Sequence, residues 1–112
     1  MTAAPVEVFA ALGDPTRQHI LTVLGRQPTS SAAAIAAPLE VTRQAVEKHL
    51  RVLVGAGLVR SVHVGRRVHY VVRPDALRQS ASWLAEVAAG WDRQLANVKV
   101  AAEMAERRAV DR

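Results

Sequence analysis

Across 112 residues, 15 Lys and Arg against 10 Asp and Glu give a formal charge of +5, which favours a polyanionic partner, either nucleic acid or an anionic membrane. Half of the residues are hydrophobic, enough for one modest core, so a single domain over residues 1–112 is expected, and the lack of cysteine excludes disulfide frameworks, thiolate metal sites and cysteine nucleophiles. No apolar run approaches the roughly 18 residues of a membrane span and the amino end lacks the pattern of a secretory signal, so a soluble, cytoplasmic protein without a membrane partner is expected.

In chain order, Val6, Phe9, Ala10 and Leu12 have helical spacing, and Gly13 with Asp14-Pro15 stops this first helix. Asp14 can cap the next helix and Pro15 suits its first turn; Ile20, Leu21, Val23 and Leu24 then form an apolar stripe up to Gly25. Pro28 to Ser31 reads as a turn, followed by a short alanine-rich helix, Ser31 to Ala37, that Pro38 ends.

The segment from Val41 to Gly57 carries the most information. Thr42 is a good helix cap, and Ala45, Val46, Leu50, Leu53 and Val54 recur at helical spacing, so one face is buried. The other face carries Arg43, Gln44, Glu47, Lys48 and Arg51. A short helix, a break near Pro38 to Glu40 and an amphipathic helix starting with basic and amide side chains match a helix-turn-helix. Periodicity alone is equally compatible with a solvated surface face. The residues after this helix favour the helix-turn-helix. Gly55 and Gly57 can end the helix in the left-handed conformation, and Leu58, Val59, Val62 and Val64, then Val68, Tyr70, Val71 and Val72, form two strands around Gly65-Arg66-Arg67. A hairpin tip with adjacent arginines suits a wing that lies along the nucleic-acid backbone or in the minor groove.

In these elements the chain resembles the ArsR/SmtB family of transcriptional regulators. Phe9-Ala10-Ala11-Leu12-Gly13-Asp14-Pro15-Thr16-Arg17 through Ile20-Leu21 is similar to the family's opening, and Val41-Thr42-Arg43-Gln44-Ala45-Val46-Glu47-Lys48-His49-Leu50 to its recognition helix. Leu53 through Gly57-Leu58-Val59 and the Gly65-Arg66-Arg67 to Tyr70 wing also match. The resemblance implies a mainly α winged helix-turn-helix with a β-hairpin wing, in the order α1-α2-α3-α4-β-β-α5. It also implies a homodimer through the first and last helices, with Val6 and Phe9 in the interface. Operator binding would then repress transcription of the regulator's own or a neighbouring operon. By this resemblance Thr42 caps the recognition helix, Arg43, Gln44 and Ala45 read or approach bases, and Lys48, His49, Arg51, Arg66 and Arg67 hold phosphates or a groove edge.

The last helix, about residues 75–108, carries Leu84, Val87, Trp91, Leu95, Val98 and Ala102 at intervals of three and four, an apolar seam that a second copy could cover. Trp83 and Trp91 are the two tryptophans, the kind of residue that anchors interfaces, although packing within one subunit is the alternative. The charged tail from Glu103 to Arg112 is expected to fray. Two operator half-sites about one helical turn apart would result, giving a pseudo-palindromic double-stranded DNA operator. Neither metal nor cofactor is expected: the third helix has no Cys, and His19, His49, His63 and His69 have no ligand spacing. The chain resembles cysteine-free family members, which leaves open an unidentified effector or none. No phosphate loop, nucleophile elbow or helical His-Glu motif suggests an enzyme. The competing reading is a basic protein-interaction module without sequence preference on DNA.

Overall fold

A computed structural model describes residues 5–111. Five helices and one hairpin follow in the order α1 (Val6–Leu12), α2 (Pro15–Gly25), α3 (Ala32–Leu39), α4 (Arg43–Gly55), β1 (Val59–Val64), β2 (Arg67–Val72) and α5 (Pro74–Val110). The chain divides into two compact units at Ser80 and Ala81.

In the first unit, local sequence sets the helix ends. Asp14 Oδ1 accepts from the Arg17 backbone N–H at 3.0 Å, Ser31 Oγ from Ala34 at 3.2 Å and Thr42 Oγ1 from Ala45 at 3.1 Å, so α2, α3 and α4 all begin on a side-chain cap. The short α1 is closed at its other end by side chains from α2. Arg17 Nε donates to Ala11 O at 2.6 Å, Arg17 Nη2 to Ala10 O at 3.3 Å and Gln18 Nε2 to Leu12 O at 2.6 Å, which satisfies carbonyls that a seven-residue helix leaves open.

The core joins the apolar stripes of these helices. Val8 and Ala11 of α1, Ile20 and Leu24 of α2, Ile35 and Ala36 of α3, and Val46, Leu50 and Leu53 of α4 are buried together with Leu58 and Val59. Each fully buried branched side chain contributes roughly 1.5–3 kcal/mol by leaving water. β1 and β2 pair antiparallel from Val59 opposite Val72 to Val64 opposite Arg67. The hairpin is tied back at its root: Ser30 and Tyr70 exchange backbone hydrogen bonds of 3.3 and 2.8 Å, and the Arg73 N–H donates to Leu58 O at 2.8 Å.

Several boundaries differ from the sequence expectations. Pro38 does not end α3. It lies in the last turn, where its missing N–H forfeits a single ladder bond, and Glu40 at φ 56° in the left-handed region closes the helix. Gly55 is the final residue of α4, and Gly57 alone takes the left-handed conformation there, at φ 77°. Val54 is exposed because the buried stripe centres on Val46, Leu50 and Leu53 and leaves it off the edge. Leu58 precedes β1 and Arg67 is already in β2, so the tip is the pair Gly65-Arg66. With φ 65° at Gly65 and no positive φ at Arg66, this is the type II′ geometry whose twist suits a hairpin. Ser30 is not a free turn residue but a buried bridge to β2.

In the second unit α5 remains helical to Val110, so the expected fraying from Glu103 does not occur within the described residues; Arg112 lies outside them. The segment is rich in Ala, Glu and Arg, places Glu103 four residues before Arg107, and carries Arg107 and Arg108 in its last turn, where they suit the negative end of the helix dipole. Leu84, Trp91, Leu95 and Val98 are 50%, 65%, 62% and 64% exposed, and Val87 is also exposed, while Trp83 is half-buried.

Candidate nucleic-acid interface

Helix α4 is strongly two-sided. Val46, Leu50 and Leu53 fix one side in the core, which leaves Arg43, Gln44, Lys48 and Arg51 exposed along the other, with Glu47 half-buried among them. Residues 43, 47 and 51 form one row at one-turn spacing and 44 and 48 another, so the five side chains share a continuous surface. The first of them stands at the start of the helix, directly after the Thr42 cap. A helix anchored on one side with its first turns free has the form that fits the major groove, about 12 Å wide in B-form DNA.

Arg43 Nε lies 3.3 Å from Glu47 Oε1. This pair lines an open cleft of about 470 Å³ together with Ser31, Ala32, Ala33, Arg67, Val68 and Tyr70, so the start of α3, the start of α4 and β2 meet around one depression. Arg66 at the hairpin tip and Arg67 beside it are exposed. The hairpin is held near α3 by the Ser30–Tyr70 bridge and by a 2.9 Å hydrogen bond between Thr29 Oγ1 and His69 Nδ1.

Not every residue singled out from the sequence joins this surface. His49 is half-buried on another side of α4, where its Nδ1 accepts from Arg17 Nη1 at 3.4 Å. Ala45 is half-buried and its backbone N–H is spent on the Thr42 cap. Sequence reasoning placed Glu47 on the free face and Tyr70 in the wing, but missed that Arg17 binds α1 carbonyls and meets α4, that Ser30 bridges to Tyr70 and that Glu47 pairs with Arg43. The spacing from Asp14 to Arg17 signals the cap, but nothing local signals where the arginine's guanidinium ends. Hydrogen bonding from the Arg17 backbone N–H holds the Asp14 carboxyl below its ordinary value of 3.8, consistent with a cap that is charged when folded.

Among the described residues no group of three or more His, Cys, Asp or Glu could hold a metal ion. No helix there is long and apolar enough to cross a membrane.

Comparison with known proteins agrees with this geometry. The model of a helix-turn-helix domain family matches residues 12–62. The chain is 39% identical over 64 residues to a protein named Transcriptional repressor SmtB homolog from Synechocystis sp., covering 57% of this chain and 48% of that protein, about half its length. Among solved structures, an ArsR-like transcriptional regulator from Rhodococcus sp. RHA1 is 47% identical with a TM-score of 0.76, covering 85% of this chain and 89% of that one. A homodimeric winged helix-turn-helix DNA-binding domain from Mycobacterium bovis, described as a possible ArsR-family regulator, is 28% identical with a TM-score of 0.61, over 76% and 77% of the two chains. With the helix-turn-helix, the hairpin wing and these likenesses together, the chain belongs to the ArsR family of winged helix-turn-helix transcriptional regulators.

Proposed function

We propose that this chain acts as a single, non-enzymatic DNA-binding domain, a homodimeric repressor that binds a pseudo-palindromic operator in double-stranded DNA. The observation that carries this is the exposed row of Arg43, Gln44, Lys48 and Arg51 on a helix whose opposite side is locked in the core, next to a wing presenting Arg66 and Arg67. Arg43 and Gln44 offer the paired donors and acceptors that read guanine and adenine edges; Lys48, Arg51, Arg66 and Arg67 suit phosphates or a groove edge. The half-buried His49 supports α4 through Arg17 instead of lying on that row.

Dimerisation through α1 and α5 is supported by the exposure of Val6 at 70% and of Trp91, Leu95 and Val98 at 62–65%, apolar surface that a second copy would remove from water, and by the homodimeric state of the M. bovis relative. A two-fold dimer presents two copies of α4, so half-sites about one turn, ~34–36 Å, apart are the geometry to expect.

The test is a fluorescence anisotropy titration across a salt series, against duplex DNA from upstream of the protein's own coding region and a scrambled duplex. Tight binding to the first alone is expected. Gln44→Ala should lose about 1–3 kcal/mol and relax preference at one base pair. Arg66→Ala should weaken both duplexes alike and reduce the salt slope by about 1. Equal wild-type affinity for both duplexes would overturn the reading and leave a basic surface without sequence preference.

A further inference from the structure

We propose that Glu47 is a positioning residue for base recognition, holding Arg43 in the orientation that reads guanine and keeping phosphates from that end of α4. The inference rests on the DNA-binding function proposed for this surface. Glu47 is the single acidic side chain of α4, half-buried where its neighbours on that face are exposed, and its Oε1 lies 3.3 Å from Arg43 Nε. Arg51 stands one turn from it in the other direction, yet the ion pair is with Arg43.

Helix stability does not explain this pair. Arg43 is the first residue of α4, at the positive end of the helix dipole, where a cation is disfavoured. A basic residue followed four places later by an acidic one is the weaker order for an intrahelical pair, and exposed pairs of this kind add little in any case. Both charges stand instead where the helix would meet DNA.

The geometry has a direct consequence for recognition. A carboxylate on the Nε side of a guanidinium leaves the Nη1–Nη2 edge open, and that planar fork matches the O6 and N7 acceptors of guanine. Holding the side chain in one orientation before binding lowers the ordering cost of making those two bonds. Glu47 also lines the cleft that contains Arg67, so its charge offsets part of the attraction that Arg43 and Arg67 exert on a phosphate there. Sequence-independent contact is penalised and guanine contact is not, which raises discrimination at some expense in raw affinity.

The experiment selects duplexes from a randomised pool with the full-length wild type, then titrates the selected duplex, its single-base variants and a scrambled duplex with wild type, Arg43→Ala, Glu47→Ala and Glu47→Gln, each first checked for an unchanged melting temperature. In the wild type, replacing one guanine per half-site by adenine should weaken binding about tenfold or more. Glu47→Ala should reduce that preference to about threefold or less, at the same base pair that Arg43→Ala relaxes, and should bind the scrambled duplex more tightly than the wild type. Glu47→Gln, whose amide oxygen can still accept from Nε but carries no charge, should recover most of the guanine preference while keeping the tighter scrambled binding. Unchanged guanine preference in Glu47→Ala, relaxation at a different base pair, or equal loss on every duplex overturns the proposal. A wild type that selects no sequence from the pool overturns the DNA reading itself.

Discussion

The two units of this chain treat their apolar residues in opposite ways. Up to Ser80, Ile20, Ile35, Leu50, Leu53 and Leu58 are 0% exposed and three helices start on side-chain caps, so the unit closes its own core. From Ala81 onward, one helix carries Leu84, Trp91, Leu95 and Val98 with half or more of their surface in water. One region supplies the partners for its own hydrophobic side chains, and the other has an apolar seam of the same chemistry that a single helix cannot bury. Stability in the first is therefore expected to be independent of protein concentration, whereas burial of the seam in the second, under the proposed dimer, is expected to depend on it.

The sharpest break in that contrast is a core truncation. Leu50→Ala should cost about 2–5 kcal/mol, because it opens a cavity where α4 meets the other helices, and thermal denaturation should show it at every protein concentration. A cost well below this range would mean that α4 is not held by that core. Next in size is Trp91→Glu, which places a charge in the seam. It should convert dimer to monomer in sedimentation and weaken operator binding at least about tenfold, equivalent to 1.4 kcal/mol, while leaving the melting of the first unit intact. A variant that stays dimeric would show that the seam faces no partner.

Smaller effects should stay within the first unit. Thr42→Ala removes the cap of α4 and should destabilise by about 1 kcal/mol without changing the monomer–dimer equilibrium, measured by denaturation and sedimentation on the same variant. The least is expected from acidification. Because the folded state holds the Asp14 carboxyl below 3.8, its capping contribution is complete above that pH and is lost as the pH falls through the lowered value, a trend that Asp14→Asn should flatten in an acid titration of stability.

Much of the site is legible from residue order alone. The stripe Val46, Leu50, Leu53 dictates which way α4 turns, and once that is known Arg43, Gln44, Lys48 and Arg51 have no side left but the outer one. Adjacency in sequence groups His49 with Lys48, yet one residue is a rotation of about 100° in a helix, and this carries His49 round to Arg17. Pro38 has the local chemistry to end α3, but a left-handed Glu40 performs that role, since proline's cost depends on how many ladder bonds follow.

Helix order, the N-terminal caps, the two-sided character of α4 and the glycine of the hairpin turn were determined by sequence, because each depends on neighbours within about one turn or on a glycine that tolerates positive φ. Tertiary structure decided the rest: that Ser30 pairs with Tyr70, that Arg17 reaches the carbonyls of α1 and the ring of His49, and that Glu47 lines the same cleft as Arg67. Those contacts join residues that are distant along the chain or lie on different elements, and no local propensity encodes a distance that arises when separate apolar stripes share one core.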